Sequence, residues 1–301
     1  MKKEDRKQDY LSSLKSLETE NVIDQIFYRP IGYKIAKSLQ YTGITPNAIT
    51  IISIFVGIAA GVFWYFPYNI SFALLGILAL MSANILDCVD GQLARLTGIK
   101  SEVGRILDGF AGDLWFLSIY IALGHRLFLN YPDLSPWLFV LVAIASGISH
   151  MNQASITDYY KTLHLFFISK EKGKEFESSK KVEERYKLQK PGINKVITWG
   201  YIIYTRSQEK GTPQLQAMLL RLRDKYGNEI PEDVREDLRK ESRKIMPLVD
   251  SNTFNGRSAI LFTAVLFNIP WLYFFWEIIV LNVIKYIIKS RHERFCSKVA
   301  V

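Results

Sequence analysis

Charge is missing where a soluble protein would carry it: from Tyr41 to Leu86 the chain contains no Asp, Glu, Lys or Arg. At 1.5 Å per helical residue that stretch can cross a bilayer core twice, a length no soluble core helix needs. Cysteine is nearly absent. Cys88 and Cys296 stand far apart without metal-ligand spacing, which excludes a disulfide framework and a zinc site and leaves ordinary thiols of a reducing compartment. The first twenty residues are rich in Lys, Glu and Asp and hold no apolar core. They do not read as a cleavable secretory signal, so the first hydrophobic helix must itself direct insertion. Internal repeats and low-complexity tracts are lacking as well.

Against these absences stand 49% hydrophobic residues and a formal charge of +9 in 301 residues. Long uncharged runs together with many basic residues point to a membrane protein. The expected fold is an all-α membrane protein with six transmembrane helices, an N-terminal amphipathic interfacial helix and a cytoplasmic helical insertion. Its segments are 1–44 for the cytoplasmic N-terminus and interfacial helix, 45–165 for spans one to four, and 166–247 for the charged insertion. Residues 248–289 form spans five and six, and 290–301 a cytoplasmic tail.

Between Asn21 and Leu39, Ile23, Ile26, Phe27, Ile31 and Ile35 interleave with Arg29, Lys34 and Lys37, a spacing suited to a helix in the membrane interface. Pro30 leaves two short helices equally open. Thr45 caps a helix with Pro46 in its first turn, and the first span runs to about Phe66. Pro67-Tyr68-Asn69 is a tight turn, and the second span runs from Ile70 until charge begins at Asp87. A third apolar run follows Asp113, and a fourth extends from Leu134 to Thr157. Amphipathic helices are expected at Leu215 to Tyr226 and Glu232 to Ile245. The last apolar block, Ser258 to Ile288, is interrupted by Asn268-Ile269-Pro270, a turn between a fifth span with a polar inner half starting near Leu248 and a sixth. The expected outside loops hold one basic residue, Arg126, so both termini are expected in the cytoplasm.

Chemistry concentrates in Asp87-Cys88-Val89-Asp90-Gly91-Gln92-Leu93-Ala94-Arg95, followed by Gly104, Asp108 and Asp113. Three residues apart on a helix, Asp87 and Asp90 share a face and can share a hard cation. Carboxylates at a membrane helix end are expensive, hence functional candidates. Asp108 and Asp113, opening the next helix, can complete a four-carboxylate cage of the kind two metals on a pyrophosphate need. Gly91 and Ala94 remove bulk where a nucleotide would approach, and Arg95 and Ser101 can hold its phosphates.

The order Asp-x2-Asp-Gly-x2-Ala-Arg-x8-Gly-x3-Asp resembles the signature of the CDP-alcohol phosphotransferases, residue by residue from Asp87 to Asp108. The likeness extends more weakly over residues 20 to 165, through the amphipathic helix, Thr45-Pro46-Asn47 and the hairpin order. It implies that Asp87, Asp90 and Asp108 bind metal, as two Mg²⁺ or Mn²⁺ ions, and that Asp87, Gly91, Ala94, Arg95 and Ser101 contact the CDP group. It also implies homodimerisation, and a final aspartate acting as base on the acceptor hydroxyl. There the chain departs from the pattern: the spacing Asp-x3-Asp leads to Gly112, and the carboxylate follows at Asp113. Five residues turn a side chain by about 140° on an α-helix. A π-turn, eased by Gly109 and Gly112, would return Asp113 to the metals as ligand and base; without it Asp113 is structural and the base is lost.

Weaker signals have plainer readings beside them. Lys161 and Arg257 can hold a phosphate on an anionic acceptor, or merely follow the positive-inside bias and snorkel. His150 reads as a packed, hydrogen-bonded side chain. The basic run Lys170 to Lys190 lacks interleaved stacking aromatics, which argues against nucleic acid and for a solvated loop facing anionic lipid. Taken with the resemblance, the expected function is transfer of a phosphatidyl group from a CDP-linked lipid, CDP-diacylglycerol or similar, to inositol phosphate. Glycerol phosphate, serine or inositol as acceptor, or CDP-choline or CDP-ethanolamine as donor to diacylglycerol, stay open, as does a catalytically silent membrane scaffold. The expected location is a bacterial or archaeal inner membrane with the site on its cytoplasmic side.

Overall fold

The computed structural model describes residues 3–99, 102–227 and 229–299, and every regular element among them is helical. In chain order, α1 is Lys3–Ser12, and a π-turn at Asp24–Tyr28 runs directly into α2, Arg29–Leu39. The long apolar helices follow: α3 Pro46–Tyr65, α4 Ile70–Thr97, α5 Glu102–Asn130 and α6 Pro136–Ile168. Next come α7 Ser179–Leu188, α8 Ile193–Gly211, α9 Pro213–Tyr226, α10 Glu232–Arg243 and α11 Met246–Ser251. Last are α12 Phe254–Leu266, α13 Pro270–Phe275 and α14 Leu281–Lys298, the latter two joined through a π-turn at Trp276–Val280.

Among the described residues, five stretches are long and apolar enough to cross a membrane: Pro46–Tyr65, Ile70–Thr97, Gly104–Asn130, Pro136–Ile168 and Pro270–Lys298. The six expected spans are therefore not matched in number. The segment read as the fifth forms α12, whose 13 residues rise about 20 Å against a hydrocarbon core of about 30 Å. The turn before α13 is as expected, with Asn268 in the left-handed region at φ 53° and Pro270 opening the helix.

The chain divides into two compact units, one of residues 1–151 and 254–280, the other of 152–253 and 281–301. In the first, α3, α4 and α5 pack around Trp64, Trp115, Phe116, Tyr120 and Leu123, with Leu261, Tyr273 and Phe274 from α12 and α13. Helix starts follow the local chemistry: the Thr45 side chain accepts from the Ala48 amide and Asn69 from Ser71. Close approach is built in by small residues, since a Cβ at Gly57 would lie 2.1 Å from the Trp115 ring. Nearer the motif, a Cβ at Gly32 would meet the Gln92 side chain at 2.6 Å, so α2 sits against α4 at the carboxylate end.

In the second unit a separate apolar core joins Tyr160, Leu163 and Phe167 to Leu215, Met218, Leu222, Leu238, Val249 and Ile288. Glu293 of α14 accepts from the amides of Gln214 and Leu215 at 2.8 and 3.2 Å, supplying the negative charge that the start of α9 lacks.

Candidate metal and nucleotide site

Asp87 and Asp90 leave α4 three residues apart, on one face, and α5 brings Asp108 to them. One carboxylate oxygen from each lies within 4.8 Å of the others. Among the described residues none of the three forms an ion pair. At an effective dielectric of about 20, two carboxylates at that separation repel by about 3 kcal/mol, so the arrangement calls for a cation from outside the chain. The donor set is all hard oxygen, which suits Mg²⁺ or Mn²⁺. Oxygens bound to one magnesium ion lie roughly 3 to 4 Å apart, within reach of small rotamer changes here. Buried Thr50 of α3 donates its hydroxyl to Asp90, fixing that carboxylate from a third helix.

Beside the carboxylates, the Arg95 guanidinium folds over Gly91: a Cβ there would sit 3.2 Å from Arg95 Nη2. Arg95 Nε donates to the carbonyl of Ser13. Gln92 donates to Ser13 Oγ at 3.1 Å and to the Arg29 carbonyl at 3.2 Å. The segment before α2 is held in turn by Arg29 to Glu20 at 2.9 Å and by Asp9, which pairs with Lys37 at 2.7 Å and accepts from Tyr33 at 2.6 Å. Hydrogen bonding from Lys37 and then Tyr33 lowers the Asp9 pKa below the usual carboxylate range. Ala94 lies half-buried one residue before Arg95. Ser101 lies outside the described residues.

Asp113 stands apart. Helix α5 is α-helical from Glu102 to Asn130, so the expected π-turn at residues 109–113 is absent and the five-residue spacing turns Asp113 away from the face of Asp108. Its Oδ1 lies 3.3 Å from His150 Nε2. His150 Nδ1 meets the Tyr120 hydroxyl at 3.1 Å and Glu277 at 4.0 Å. Glu277, fully buried, pairs with Arg257 and accepts from Tyr273 at 3.3 Å. Arg257 is thus committed to a carboxylate within the first unit. In the second unit Lys161 pairs with Asp250 at 2.8 Å.

Reading the sequence missed Ser13, Thr50 and Glu277. Ser13 sits in a polar segment with no pattern, and its link to Arg95 spans 82 positions. Thr50 is a lone hydroxyl in an apolar helix. Glu277 had a signal, a single carboxylate in the last apolar block, which by default marks a functional or paired group.

A helical membrane protein with a carboxylate trio and an arginine over a glycine at the end of a helix hairpin is the class these features define. Residues 43–170 match the family described as CDP-alcohol phosphatidyltransferase. It is similar to archaetidylinositol phosphate synthase of Pyrococcus horikoshii, 41% identical over 93 residues that cover 30% of this chain and 47% of the relative. It is also similar to an uncharacterized protein of Aquifex aeolicus, 29% identical over 109 residues, 36% of this chain and 53% of that one. The chain spans about half the length of the curated relatives it matches.

Proposed function

We propose that the protein transfers a phosphatidyl-type group from a CDP-linked lipid to inositol phosphate, giving a phosphatidylinositol phosphate and CMP. The observation that carries this reading is the Asp87, Asp90 and Asp108 trio, with no ion pair among the described residues, next to Arg95 over Gly91. The acceptor assignment draws on the name of the Pyrococcus relative. CDP-diacylglycerol or its archaetidyl counterpart is the donor.

Asp87, Asp90 and Asp108 would hold the divalent metal, two ions of Mg²⁺ or Mn²⁺ in the family arrangement, which when bound supplies positive charge to the diphosphate. Arg95, oriented through its Nε by the Ser13 carbonyl, binds a donor phosphate. Gly91, Ala94 and Ser101 complete the CDP subsite. The acceptor hydroxyl oxygen bonds to the β-phosphorus as the bond to CMP breaks, and its proton passes to Asp113 once that carboxylate, held by His150 in this conformation, is turned toward the trio. Arg257 serves as a contact for the acceptor's phosphate only by exchanging the Glu277 carboxylate it now neutralises. Basic-residue bias supports a cytoplasmic site, and the family resemblance supports a homodimer.

A second reading follows from the rotation of Asp113 out of the trio's face: a membrane scaffold that binds CDP and metal without turnover. Incubating the purified protein with labelled CDP-diacylglycerol, Mg²⁺ and, separately, inositol phosphate, inositol, glycerol phosphate and serine decides between them. Labelled lipid from inositol phosphate alone supports the proposal. CDP binding with no product from any acceptor supports the scaffold.

A further inference from the structure

Helix α8 carries its polarity the wrong way round for a helix in water. Its inward stripe holds Thr198, Ile202, Thr205 and Gln208, all buried. The polar members are satisfied internally: Thr198 and Thr205 donate to the carbonyls of Asn194 and Tyr201, both at 2.9 Å, and Gln208 to that of Ser155 at 2.9 Å. Its outward stripe is Val196, Trp199 and Ile203, exposed by 62%, 55% and 49%. Positions i, i+3 and i+7 fall on one helix face. An aqueous surface selects the opposite arrangement, and a contiguous apolar face rimmed by charge marks a contact with something apolar.

The surroundings identify what that is. From Ser179 to Gly211 there are eight basic and three acidic residues. Lys187 and Lys190 are exposed just before the helix, and Arg206, paired with Glu183, and Lys210 carry the outward face on into its last turns. Two copies of this face brought together by a two-fold axis would oppose cation to cation. An anionic bilayer surface offers the complement: phosphates for the lysines and the headgroup boundary for a tryptophan. A chain with stretches long and apolar enough to cross a membrane brings a bilayer surface with it.

We infer that α8 is a membrane-surface anchor, with Val196, Trp199 and Ile203 entering the headgroup and acyl boundary of an anionic leaflet while the flanking lysines contact lipid phosphates. The partner is the lipid surface itself. This assignment is independent of catalysis at the carboxylate trio.

The test uses the full chain in nanodiscs of phosphatidylcholine, with and without phosphatidylglycerol. Nitroxide labels go on cysteines placed at Val196, Trp199, Ile203 and, as the water-facing control, Asn194; both native cysteines are buried. The first three labels are expected to be several-fold more accessible to oxygen than to a nickel chelate in the anionic discs, and the fourth the reverse. Lys187→Glu with Lys190→Glu should remove the difference between the two lipid compositions. Native Trp199 gives a label-free check, as the part of brominated-lipid quenching lost in Trp199→Phe. Nickel access equal at all four positions in both discs overturns the inference, as does dipolar broadening between labels on two copies, which would make the stripe an interface between chains.

Discussion

Two acidic groups within the first unit solve the same electrostatic problem in opposite ways. Asp87, Asp90 and Asp108 converge with no ion pair among the described residues. Glu277 and Asp113 are instead answered by Arg257 and His150, with Tyr120 and Tyr273 completing the hydrogen bonding. A carboxylate taken out of water must be neutralised, paired or bound to metal. The second group meets that demand inside the chain. The first has no ion pair among the described residues, with Arg29 acting on it only at longer range, and that difference makes it the group suited to a bound cation.

Breaking the internal pair should give the largest effect. Arg257→Leu leaves buried Glu277 uncompensated and is expected to cost about 3–5 kcal/mol of stability, read as thermal unfolding in detergent. Arg257→Leu with Glu277→Leu should recover most of it, and failure to recover would show that the pair is more than structural. In the trio the sign inverts. Asp90→Asn should cut transfer on the order of 10²–10³-fold, yet raise the unfolding temperature in chelator, because it relieves repulsion. Added Mg²⁺ should stabilise the parent protein and leave the variant unmoved.

Asp113, paired with His150 yet proposed as the base, sharpens the contrast. As the base, Asp113→Asn should lower the turnover rate by about 10²-fold or more with the donor KM unchanged, and His150→Gln should lower it by less. Full activity in Asp113→Asn would return Asp113 wholly to the structural network. Thr50→Val removes one buried hydrogen bond to Asp90 and is expected to cost about 1 kcal/mol, visible as roughly several-fold weaker Mn²⁺ binding by paramagnetic resonance.

The smallest effect is at Asp9. Because Lys37, then Tyr33, lower its folded pKa, its contribution is present above the ordinary aspartate value of about 3.9 and disappears as pH falls through the lowered value. Asp9→Asn should therefore cost up to about 1 kcal/mol near neutral pH. Its unfolding curve should merge with that of the parent protein once the medium is more acidic than the ordinary aspartate range.

Much of this was legible in the sequence where the cause is local. Thr45 and Pro46 start α3, the charge-free stretch resolves at Pro67-Tyr68-Asn69 into a helix hairpin, and Asn268 and Pro270 mark the later turn. The trio was readable because three-residue spacing sets Asp87 and Asp90 on one face and a hairpin returns Asp108. Contacts of long range were not. Ser13 reaches Arg95 through a segment with no periodicity, and Glu277 and His150 find each other across apolar helices whose packing hydropathy does not specify. The π-turns illustrate the limit best. Glycines at 109 and 112 permit one without requiring it, and α5 keeps its regular ladder. Those that form, at Asp24–Tyr28 and Trp276–Val280, each carry a carboxylate: Asp24 accepts from Asn255 at 2.9 Å and Glu277 pairs with Arg257, tertiary bonds with no local signature.

The most direct test is release of CMP from CDP-diacylglycerol by the purified chain, with inositol phosphate as acceptor, as Mg²⁺ is titrated into the parent protein and Asp90→Asn. Release that rises with the ion and is lost in the variant is the expected result. Undiminished release by Asp90→Asn, or release indifferent to the ion, would contradict a transferase site at the carboxylate trio.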